Sequence, residues 1–79
     1  MTSKELERVH AQRPFNPFTM HLSDGTFYDV PTPEFLAHRP GDRWCFVIEV
    51  RGDGHAIIDL AHIVKITFRE PALSPDTGN

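Results

Sequence analysis

The chain has 79 residues, with eight Lys and Arg against eleven Asp and Glu and a formal net charge of −3. That length supports one core, because a second would bury too little apolar surface to offset the ordering of its backbone, and the acidic balance disfavours a dedicated nucleic-acid binder, which carries a basic excess or a Lys/Arg cluster. A single cysteine, Cys45, excludes an intramolecular disulfide, the opening Met1 to His10 lacks a signal-like apolar run, and no stretch reaches the about 18 to 20 apolar residues of a membrane span, which together predict a cytoplasmic protein with no membrane partner.

Thr2 followed by Glu5 has the spacing of a capping box, in which hydroxyl and carboxylate satisfy orphan amides at a helix start. Leu6, Val9 and Arg13 recur at helical spacing with His10 beside them, and Pro14 disfavours helical geometry at Arg13. The spacing predicts a helix of about three turns with a narrow apolar stripe that must lie on other structure.

Beyond the Pro14 to Pro17 elbow, Phe18, Met20 and Leu22 alternate with Thr19 and His21, the period of a half-buried strand. Asp24-Gly25 marks a hairpin. A loop of Ser23, Asp24 and Gly25 pairs Leu22 with Thr26, Met20 with Tyr28 and Phe18 with Val30, which keeps one face apolar; a shorter loop would set Asp29 beside Met20. The expected turn is type I with Gly25 left-handed, forming a bulge.

Thr32-Pro33-Glu34-Phe35 reads as a cap followed by proline at the first helical position, predicting one helical turn through about Leu36 or His38. Trp44 to Val50 is apolar on both faces except for Glu49, as in a central strand that is covered on both sides or strongly bent. A turn at Arg51 to Gly54, a strand from Ala56 to Leu60 and a closing strand from Ile63 to Phe68 complete the pattern. The expected fold is therefore mainly β: an N-terminal helix followed by a five-stranded, strongly bent small barrel of the Sm-like or SH3-like kind, spanning residues 1–69 as a single domain. Glu70 to Asn79 has only Leu73 as a large apolar residue and reads as a disordered tail.

Two resemblances accompany these residues. Arg13 to Leu36, with its Arg-Pro-Phe, Pro-Phe, Asp-Gly and Pro-Glu-Phe pattern, resembles a set of small bacterial proteins, a likeness that implies a shared fold and no particular activity. Leu6 to Val30, a helix running into an apolar strand and an Asp-Gly turn, is similar to the start of Sm-like proteins, the superfamily that includes the bacterial RNA chaperone Hfq, and Ile63 to Ile66 resembles its closing strand. That likeness implies a bent barrel assembled into rings through edge strands. Where the superfamily carries a Tyr-Lys-His signature for RNA, this chain has Asp59-Leu60-Ala61, and an acidic group there repels phosphate.

Chemistry-bearing residues are sparse. His10, His21, His38, His55 and His62 form no local chelating pair, leaving a long-range pairing such as His21 with His62 as the alternative to a structural role. Cys45 between Trp44 and Phe46 reads as a core thiol, and Asp24, Asp42 and Asp53 read as turn residues. Asp59 is expected to cap the Ala61-His62 turn, and Phe27, opposite Tyr28 and Val30, either lies under the helix or anchors an interface. No catalytic constellation, cofactor motif or metal set emerges. The expectation is a non-enzymatic interaction module that self-associates through edge strands or takes a protein partner. The alternative is an RNA binder using Arg13, Arg39, Arg43 and Arg51.

Overall fold

In the computed structural model, described for residues 1–50, 52 and 54–68, helix α1 (Ser3–His10) begins at the expected capping box: the Thr2 hydroxyl accepts from the Glu5 amide and the Glu5 carboxylate accepts from the Thr2 amide. The helix is shorter than its spacing predicts, ending with the Ala11 amide on the Glu7 carbonyl. Pro14 has no N–H to offer the His10 carbonyl, and the Arg13 guanidinium takes over, donating to the carbonyls of His10 at 3.2 Å and Gln12 at 2.6 Å.

Six strands follow: β1 (Phe18–Leu22), β2 (Phe27–Val30), β3 (Leu36–His38), β4 (Trp44–Ile48), β5 (His55–Asp59) and β6 (Ile63–Phe68). They form two separate three-stranded antiparallel sheets, sheet A in the order β2-β1-β6 and sheet B in the order β3-β4-β5. This corrects the expected five-stranded barrel, because the described residues contain six strands and no closed barrel. The cause lies after Val30. Pro31 and Pro33 cannot donate to a ladder, so the chain leaves sheet A through a 3-10 turn at Pro33–Phe35, with Thr32 in the cap position but without a side-chain cap bond. The single turn expected from Pro33 is there but ends at Phe35, and Leu36 to His38 resumes an extended path and pairs with β4.

The β1–β2 hairpin has the register expected from the alternation, Phe18 with Val30 and Met20 with Tyr28. Gly25, at φ +92°, closes the loop by donating to the Leu22 carbonyl, and the Leu22 amide donates to Thr26. A second 3-10 turn, Leu60–His62, carries the chain from sheet B to sheet A. It is tied at both ends: the Leu60 amide donates to the Arg43 carbonyl at 2.8 Å and the Ser23 amide to the His62 carbonyl at 2.9 Å.

The inner faces meet in one core. Phe18, Met20 and Val30 come from sheet A, Leu36, Cys45, Val47 and Ile58 from sheet B, Leu60 and Ile63 from the connecting turn and its exit, and Leu6 from α1. The helix is held at its start by the Ser3 hydroxyl, which accepts from the Gly41 amide, and at its end by His10 Nε2–H donating to the Pro33 carbonyl at 2.9 Å. The expected tail from Glu70 to Asn79 lies outside the described residues.

Leu6 is the helix's one fully buried side chain, so Leu6→Ala should lower the unfolding free energy by about 3 kcal/mol through lost burial and a residual cavity. Val64→Ala, at a position 63% exposed, should change it by less than about 0.5 kcal/mol. Urea titrations of the two variants check both values.

Candidate functional site

Alternation along β4 turns Cys45 and Val47 inward and leaves Trp44, Phe46 and Ile48 outward at 51, 50 and 48% exposure. β5 does the same with Ile58 inward and Ile57 outward at 60%. The register sets Ala37, Phe46 and Ile57 side by side across the three strands. Phe46 therefore stands at the centre of an apolar sheet face, with Trp44 and Ile48 one step to either side. A shallow groove of about 350 Å³ runs over Ala37, Trp44, Phe46 and Ile57, with Arg39 and Asp42 on its rim. Of the two alternatives for the Trp44 to Val50 segment, covered on both sides or strongly bent in a barrel, the first is overturned by this exposed face and the second by the absence of a closed barrel among the described residues. The segment is central in its sheet, but only one of its faces is covered.

Sheet A presents the opposite surface. Its outward positions are polar and matched across strands: the Thr19 hydroxyl donates to Asp29 at 2.6 Å, and His21 Nε2 lies 2.9 Å from the Thr67 hydroxyl. Lys65 stands beside His21 in the register. Phe27, 60% exposed, stands apolar among them, its ring 6.2 Å from that of His21, and Val64 and Phe68 of β6 are exposed as well. The helix does not cover it, which corrects the buried alternative for this residue.

Each described arginine expected to meet phosphate has a partner close by in the fold. Arg13 is bonded to backbone carbonyls at the end of α1, Arg39 pairs with Asp42 at 3.1 Å, and Arg43 pairs with Asp59 at 3.1 Å while its guanidinium sits 5.7 Å from the Trp44 ring centroid. Arg51 lies outside the described residues, as does Asp53. Asp59 also accepts from the Ala61 amide at 3.0 Å and so caps the Leu60–His62 turn. The Ala61 amide, and then Arg43, hold its carboxyl below the usual carboxylate range.

His21 and His62 do not pair. His62 Nδ1 is 3.3 Å from the Ser23 hydroxyl, and the histidines that approach each other are His10 and His38, with ring centroids 5.2 Å apart. No group of three metal-ligating side chains forms among the described residues. Cys45 is buried, and burial pushes its thiol up to about 11, so it carries no thiolate at neutral pH. No helix among the described residues is long and apolar enough to cross a membrane.

The surface that sequence reasoning missed is the outer face of sheet B. Its signal was present in the unbroken apolar run Trp44-Cys45-Phe46-Val47-Ile48, whose second face needs a cover that one small chain does not supply. Comparison of the chain with family models, curated proteins and solved structures finds no match to any of them.

The His10–His38 contact has a thermodynamic consequence. His38 Nδ1 is buried without a hydrogen-bond partner, and burial, followed by the neighbouring His10, pushes its pKa below the ordinary 6.5, while Glu7 acts weakly in the other direction. The unfolded chain thus takes up this proton at higher pH than the folded one. Stability from His38 is fully present above pH 6.5 and is lost as the pH falls below that value toward the folded pKa. Glu5, Asp24 and Asp59, held low by Thr2, Thr26 and Ala61, contribute stability that is lost only at pH values below their ordinary 3.8 to 4.5. The urea midpoint should therefore decline between pH 7 and pH 5, and His38→Gln, which has no such proton to take up, should flatten that decline.

Proposed function

We propose that the chain is a non-enzymatic interaction module that self-associates. The observation that carries this reading is the apolar outer face of sheet B, where Trp44, Phe46, Ile48 and Ile57 stand together in solvent, while on the corresponding face of sheet A Thr19, His21, Asp29 and Thr67 are hydrogen-bonded to one another around the single ring of Phe27. Contiguous exposed apolar patches are characteristic of surfaces that dock. The edge strands, β2 and β6 of sheet A and β3 and β5 of sheet B, add backbone groups on which a partner strand can pair.

The side chains that catalysis would need support the same reading by their placement. Cys45 is a buried thiol, Asp24 and Asp59 are engaged by local amides, and His21 and His62 lie on different polar partners. A lone cysteine kept inside the core suits a reducing, cytoplasmic setting. Arg13, Arg39 and Arg43, each on its own local acceptor, offer an RNA backbone no continuous basic rim among the described residues.

Multi-angle light scattering tests the reading. At tens of micromolar the purified protein should have at least twice the monomer mass of 9.0 kDa, and a monomer at that concentration overturns it.

A further inference from the structure

We propose that the occupant of the apolar face of sheet B is the same face of a second copy, packed sheet on sheet about a two-fold axis that runs along the Phe46–Ile57 row. This rests on the self-association proposed above and specifies its surface and register.

The strand register makes the face complementary to itself. Three cross-strand rows follow one another along it: Trp44 with Asp59, Phe46 with Ile57, and Ile48 with His55. A half-turn about the middle row lays β4 over β4 and β5 over β5, and exchanges the outer rows. Trp44 then meets Ile48 of the second copy, a large ring against a smaller branched chain, which is how facing layers interdigitate without voids. Asp59 meets His55 of the second copy, and the reciprocal pair forms at the other end. Phe46 and Ile57 lie on the axis and meet their own images, as an isologous interface requires.

Polar matching favours this arrangement. The only ionised acceptor on the outward positions of these three rows is Asp59, already fixed by the Ala61 amide and Arg43, and the half-turn places it against an imidazole. A two-fold axis along the strands would instead set β5 over β3 and leave Asp59 without that partner.

The apolar patch forms the centre of the contact, and the residues around it must complete the area. At their observed exposures Trp44, Phe46, Ile48 and Ile57 present on the order of 400 Å² of surface, about half of the roughly 800 Å² that each partner gives to a standard interface. Ala37 extends the apolar row on β3, and His55 and the exposed Arg43 border the patch as a polar rim. Two three-stranded sheets stacked at about 10 Å with their strands nearly aligned is an ordinary packing. Trp44, the only tryptophan in the chain, sits inside the proposed contact and reports on it.

Sedimentation equilibrium and Trp44 emission, followed across a dilution series, test the arrangement. The wild-type protein should be a dimer whose emission shifts to the red as it dissociates. Phe46→Lys and, independently, Ile57→Thr should weaken dimerisation at least tenfold while leaving the circular dichroism spectrum unchanged. His55→Asp, which opposes Asp59 with a like charge, should also weaken it, whereas His55→Lys should not. Retention of the fold by Ile57→Thr keeps the test decisive if Phe46→Lys fails to fold. An oligomer larger than a dimer, or a dimer indifferent to Ile57→Thr and to His55→Asp, overturns face-to-face packing and leaves self-association through edges standing. A wild-type monomer at all concentrations overturns both.

Discussion

Everything in this domain depends on one constraint: neither three-stranded sheet can stand in water alone, so the inner faces must bury each other. Three short strands with a single apolar face are at the margin of independent stability. Phe18, Met20 and Val30 on one side and Leu36, Cys45, Val47 and Ile58 on the other supply the two halves of the core, and Leu6 is drawn in from the helix to complete it. The helix is there because the core requires its leucine. Its capping box, the Ser3 and His10 hydrogen bonds and the truncation before Pro14 all serve to hold a two-turn segment over the place where that side chain enters.

The same constraint separates the two outer faces. A two-sheet domain of this size has enough apolar residues for one shared interior, and each sheet then shows its other face to solvent. Sheet A has the alternation that such a role demands, with Thr19, His21, Asp29, Lys65 and Thr67 outward and paired among themselves. Sheet B lacks it in its middle strand, where both parities of β4 are apolar. One strand written for burial on two sides, in a fold that covers it on one, is the physical content of the interaction proposed for this protein.

The parts of the fold that were legible in the sequence are the local ones. Thr2 and Glu5 are three residues apart, and the Ser23 to Gly25 loop sets its own register, because slipping it by one residue would carry Asp29 to the apolar side. The partition after Val30 was not legible, since Thr32-Pro33-Glu34-Phe35 satisfies the rules for a helix start and nothing local says that only three residues will follow before Leu36 joins a second sheet. That is why a bent barrel was expected where two sheets occur. The candidate face was half visible: the apolar run through β4 was plain, but whether a strand's second face is covered is a property of the assembled chain. The approach of His38 to His10, from elements far apart in sequence, left no trace in spacing at all.

The two sheets also differ in the sequence distance that their pairings span. Sheet B is built from three consecutive strands, whereas sheet A joins β1 to β6 across the forty residues 23–62 and depends on the turn at Leu60–His62 to deliver its last strand. Closing that long loop is the slow, entropically costly part of the topology. Local pairing is thus concentrated in one sheet and long-range closure in the other.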